Sequence, residues 1–139
     1  MKNLDKILIG GRALVALGSD RSTDDTDYLV NDKSNTNAFS HDEQANIDYC
    51  NANGLDFFKA IYEIEKGNQI ASPQSLLELK AYAFIQHCQN FNFAKADQAE
   101  YDMKFLVRKF NLKSVKTVNK FALSGQVSEI AKIIKSVKF

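Results

Sequence analysis

Two aspartates one residue apart, Asp25 and Asp27, follow a glycine pair, Gly10 and Gly11, within the stretch ILIGGRALVALGSDRSTDDTDYLV from Ile7 to Val30. Carboxylates held side by side repel, and a divalent cation such as Mg²⁺, which prefers oxygen ligands, removes that repulsion. In a strand, positions i and i+2 point to the same face, so a run leading into Tyr28, Leu29 and Val30 sets Asp25 and Asp27 together. Glycines allow a tight turn and let a ligand approach backbone N–H groups at a helix start, where the helix dipole favours an anion such as a polyphosphate. The chemistry these residue types point to is a nucleotide-phosphate site served by a metal.

The elements that must position these residues are short. Ile7, Leu8 and Ile9 form a β-branched-rich run, expected as a strand over Lys6 to Ile9, and Met1 to Asp5 leaves no room for a helix before it. Beyond the glycine turn, Ala13 to Leu17 has helix-forming composition and Gly18 suits its C-terminal cap. A loop, Ser19 to Asp24, leads to the aspartates. The polar, turn-rich stretch Asn31 to Glu43 reads as a surface loop with a solvated His41. Ala45 to Cys50 alternates as a strand does, with Ile47 and Tyr49 on one face and Asn46, Asp48 and Cys50 on the other. Asp48 is then a mid-strand carboxylate in need of a partner, and a metal shared with Asp25 and Asp27 would supply one.

The order strand, Gly-Gly, short helix and then Arg21-x-Thr23-x-Asp25-x-Asp27 resembles the opening motif of the nucleotidyltransferase (polymerase β-like) superfamily, especially its small minimal and AbiEii-like members. The Gly-Leu-Asp-Phe-Phe segment at 54–58, just after the Asp48 strand, is similar to the same proteins. The resemblance implies an α+β fold: a small mixed sheet of about three to five strands within residues 1–50, packed against helices, with a helical C-terminal half. It implies that Asp25, Asp27 and Asp48 bind Mg²⁺, that Gly10 and Gly11 hold the triphosphate, and that Arg21 and Thr23 support the aspartate pair. Lys80 would face the site and neutralise phosphate charge.

The implied reaction transfers a nucleoside monophosphate from a nucleoside triphosphate to an acceptor, which in such relatives is RNA, a protein or a small molecule. Some AbiEii-like enzymes act as toxins beside an antitoxin, so a partner protein is part of the expectation. One motif departs from the pattern. The family's basic-acidic pair before the aspartate of a later helix is Gln98-Ala99 here, which leaves the duty of Asp102 open. The alternative is a catalytically inactive protein of this fold that acts as a binding or regulatory partner.

The rest of the chain reads as helical. An amphipathic helix begins at Leu55 and runs through Glu63, with Phe57, Phe58 and Ile61 toward the core. Ser72 and Pro73 open the next helix, Gln74 to Cys88, and a further one spans Asp97 to Phe110. Ser114 to Leu123 and Val127 to Val137 are shorter amphipathic segments divided by Ser124-Gly125.

With 139 residues, 45% hydrophobic content and one proline, the chain fits a single domain. It lacks the run of roughly 18 apolar residues that a membrane helix needs, and MKNLDK lacks a signal-peptide core, so a cytoplasmic protein is expected. Cys50 and Cys88 are too few for a disulfide framework and lack zinc-ligand spacing with His41 or His87. Net charge is +1, but residues 1–100 sum to −6 and residues 101–139 to +7. An acidic metal-binding half and a basic half suit a nucleotide or nucleic-acid substrate, and a nucleic-acid-binding role for the basic section is a further reading.

Overall fold

The computed structural model describes residues 5–139, and within it the chain forms two compact units that divide between Ser72 and Pro73. The first four residues lie outside the described residues, and with them most of the expectation for Met1 to Asp5. The architecture is mixed α and β, with a four-stranded sheet in the N-terminal half and a helical C-terminal half.

In the first unit the elements run β1 (Ile7–Ile9), α1 (Gly10–Ala16), β2 (Thr26–Val30), β3 (Phe39–Asp42), β4 (Ile47–Asn51), a 3-10 turn (Ala52–Gly54) and α2 (Asp56–Glu65). The sheet order is β1-β2-β4-β3: β2 and β4 are parallel, and the outer pairs are antiparallel. The segment Gln69 to Ala71 returns along β1, with Leu8 N–H donating to Gln69 O and Ala71 N–H to Leu8 O. Ile7, Ile9 and Leu29 are buried on one sheet face. That face is also where Phe39 meets Phe58 of α2 edge-on, with ring centroids 5.4 Å apart. Phe57, Phe58 and Ile61 are buried, as their helical spacing predicts.

Two expectations change. Helix α1 starts at Gly10 itself, so the glycines are its first turn and no separate turn precedes it. The stretch Asn31 to Glu43 is no simple loop, because its last residues form β3. Its earlier part is tied down by Asn51, which is 2% exposed. The Asn51 side-chain carbonyl accepts from Asp32 N–H at 2.8 Å, and its amide donates to Asp32 O and Asn35 O at 3.1 and 2.9 Å.

The second unit holds α3 (Pro73–Gln89), α4 (Phe93–Phe110), a 3-10 turn (Val118–Phe121) and α5 (Ser124–Lys135). Helix α4 begins four residues before the expected Asp97, and Ser124 and Gly125 open α5 where a divider was expected. Leu76, Leu77, Ala81, Met103, Leu106, Val118 and Ile130 are fully buried here. So is a carboxylate. Glu78, 3% exposed, accepts from Lys116 N–H and Val118 N–H at 2.8 Å each, and so folds the segment after α4 back against α3. No described helix is long and apolar enough to cross a membrane.

Candidate active site

The strand register brings Asp27 and Asp48 together. Asp27 pairs with Asp48 across the parallel β2–β4 ladder, with Ile9 on its other side, and Asp48 pairs in turn with His41 of β3. One row therefore crosses all four strands: Ile9, Asp27, Asp48, His41. Neighbouring strands lie about 4.8 Å apart, so the two carboxylates leave the sheet side by side on one face. Cys50, two residues along that face from Asp48, senses both: burial pushes its thiol up to about 12, and the charges of Asp27 and Asp48 add to the rise.

The glycine pair stands where β1 runs into α1, beside this row. Gly10 has φ +70°, and a Cβ on it would overlap the Asp27 carboxylate. A Cβ on Gly11 would lie 2.6 Å from Thr23 Oγ1 and 3.2 Å from the Arg21 guanidinium carbon. The absence of side chains at 10 and 11 is thus what lets Asp27, Thr23 and Arg21 close on the backbone here. Within the loop, Ser19 Oγ accepts from Arg21 N–H at 3.3 Å, and Thr23 Oγ1 donates to Asp25 O at 3.4 Å. Asp25 lies one residue ahead of β2 and is exposed, so the alternation that sets Asp27 beside Asp48 does not extend to it.

Two further residues join this region: Arg12, and His41, expected as a solvated side chain but paired with Asp48. Arg12, next after the glycine pair, donates from Nε to Thr26 Oγ1 at 2.6 Å, which holds a guanidinium beside the residue between Asp25 and Asp27. His41 Nδ1 donates to Asp48 Oδ1 at 2.6 Å, with both side chains roughly half exposed. Hairpin pairing across seven residues makes this contact, and its only trace in the sequence is a histidine ahead of an alternating run.

Lys80 lies in the second unit, where its ammonium is 2.9 Å from Asp102 Oδ2. Asp102 is fully buried and also accepts from Gln98 Nε2 at 3.1 Å. Gln98, of the Gln98-Ala99 pair, is therefore a hydrogen-bond partner of the aspartate that follows it.

The donor chemistry beside the glycines fits a hard cation: oxygen ligands from neighbouring strands, with a further aspartate two residues ahead. Among the described residues, no group of three or more His, Cys, Asp or Glu side chains is already gathered for a metal. Asp27 and Asp48 share one row of the sheet, and Asp25 stands on the adjoining loop. Compared with known proteins, the chain matches no family model, no curated protein and no solved structure.

Proposed function

We propose that this chain is a nucleotidyltransferase that moves a nucleoside monophosphate from a nucleoside triphosphate to an acceptor. The observation that carries the reading is the in-register pair Asp27–Asp48 beside a glycine pair on which Asp27 itself packs. Mg²⁺ held by Asp27 and Asp48, with Asp25 as a further ligand, would stabilise the charge that gathers on the oxygens around phosphorus. The acceptor oxygen attacks the α-phosphorus, the bond from that phosphorus to its bridging oxygen breaks, and pyrophosphate leaves. Asp48 takes the proton of the acceptor hydroxyl. Backbone N–H groups at Gly10 and Gly11, with Arg12 and Arg21 nearby, cradle the triphosphate.

A second reading draws on the His41–Asp48 bond, which occupies one oxygen of the carboxylate the metal would share. It is a catalytically inactive protein of this fold that works as a binding partner. Calorimetric titration of the four ribonucleoside triphosphates with Mg²⁺ separates the two. The enzyme reading expects binding that needs Mg²⁺ and weakens at least about tenfold, or about 1.4 kcal/mol, in the Asp25→Asn/Asp27→Asn variant. A wild type that binds none of the four leaves the inactive reading standing.

A further inference from the structure

Helix α3 stops in an unusual way. Asn92 N–H donates to His87 O at 2.8 Å and Phe91 N–H to Cys88 O at 3.1 Å, the paired bonds of a Schellman stop. Phe91, which makes the reversal, has φ +57°. Glycine is the usual occupant, because a Cβ in the left-handed region crowds the following carbonyl oxygen. Helix α4 of the same chain ends on Asn111 at φ +53°, a residue type that tolerates this conformation. Phe91 gains no burial in return. It is 79% exposed, and its ring meets edge-on that of Phe93, itself 59% exposed. Folding alone does not account for an aromatic side chain at that position.

Three residues before Phe91, Cys88 lines a groove of about 460 Å³. Phe84 and Ile85 of α3 form its apolar wall, and Gly125 and Glu129 of α5 face them. The Cys88 thiol is pushed up by burial and then by the charges of Glu129, Asp97 and Glu100. The unit they belong to is otherwise basic, with eleven Lys and Arg against five Asp and Glu in residues 73–139. The other two acids, Glu78 and Asp102, are buried. Of the three accessible carboxylates Glu129 lines the groove itself, and among the described residues Glu100 forms an ion pair with Lys104 at 2.9 Å.

We propose that this groove, together with Phe91 and Phe93, docks a short segment of a partner protein in which an apolar side chain is flanked by Lys or Arg. The apolar wall accepts the anchor, the carboxylates accept the flanking cations, and the exposed rings offer faces to either.

The test uses the full chain and two synthetic amphipathic peptides with the same leucine positions, one with lysines and one with glutamates between them. Binding is measured on the wild type, Gly125→Phe, Glu129→Gln and Phe91→Gly. A Cβ at Gly125 meets nothing within 4 Å, so a side chain grown there fills the groove without displacing α5. The lysine peptide is expected to bind at least about tenfold tighter than the glutamate peptide, to lose roughly tenfold in Gly125→Phe and Phe91→Gly, and about threefold in Glu129→Gln. Phe91→Gly should also raise the melting temperature, because it relieves the left-handed phenylalanine; a merely structural role for Phe91 would lower it. Equal binding by wild type and variants, or preference for the glutamate peptide, overturns the proposal. Self-association of the wild type that Phe91→Gly abolishes also overturns it, because the occupant is then a second copy of the chain.

Discussion

At Gly10 conformation and chemistry bear on the same atom. Its φ of +70° lies in the region that L side chains avoid, and the Asp27 carboxylate sits where its Cβ would be. Alanine there must either leave the left-handed region, which moves the start of α1, or push Asp27 out of line with Asp48. The conformational part alone costs about 1–2 kcal/mol. Gly10→Ala is therefore expected to lose about 2 kcal/mol of stability in urea titration and, with it, Mg²⁺-dependent triphosphate binding. A variant that is less stable yet binds triphosphate as the wild type does would detach Asp27 from the phosphate cradle. The sequence makes this much legible, because a glycine pair after a β-branched run and an aspartate two residues from another are local patterns. The partners that complete the site are less visible: His41 and Arg12 reach Asp48 and Thr26 through strand register and loop closure, which no short spacing encodes.

At the scale of elements, strong periodicity was readable and weak periodicity was not. β1, β2, β4 and α2 follow from apolar runs and helical spacing, whereas β3 does not: Phe-Ser-His-Asp has one apolar residue, and pairing with β4 makes it a strand. Helix α3 shows a second limit. Its apolar pattern places Leu76, Leu77 and Phe84 in the core but leaves Leu79, Ala83 and Cys88 half-buried, and two of its charged residues have partners far along the chain that periodicity cannot name. Glu78 binds backbone N–H groups at 116 and 118, and Lys80 pairs with Asp102 of α4. Lys80 had a phosphate-facing role by resemblance, and the ion pair gives it a testable structural one. Removing one partner of a buried pair strands the other charge, at about 3–5 kcal/mol. Lys80→Met should thus lower stability by about 3 kcal/mol in chemical denaturation, and Lys80→Met/Asp102→Leu should recover most of it. Should Lys80→Met leave stability unchanged, the lysine does not hold α3 to α4.

For the whole molecule, the charge pattern is the property that residue and element arguments leave out. Residues 1–72 carry seven basic and twelve acidic side chains, and residues 73–139 carry eleven basic and five acidic, so the two compact units have opposite sign while the chain as a whole stands at +1. A net charge near zero provides little long-range repulsion between copies, and opposite charges on separate units give them a reason to attract. The carboxylates of the first unit include those of the candidate site, so a cation held there would weaken this attraction. Light scattering at pH 7 and about 0.01 M salt, where the screening length is roughly 30 Å, should show net attraction between molecules. Raising the salt to about 0.15 M, where that length falls to roughly 8 Å, should remove most of it. Millimolar Mg²⁺ at constant ionic strength should reduce it further in the wild type and less in Asp25→Asn/Asp27→Asn. Attraction indifferent to salt would point to apolar contact, with Phe91 and Phe93 the first residues to replace. Attraction that Mg²⁺ relieves equally in wild type and variant would mean that the ion acts elsewhere on the acidic unit, and would separate the molecule's charge balance from the aspartate pair.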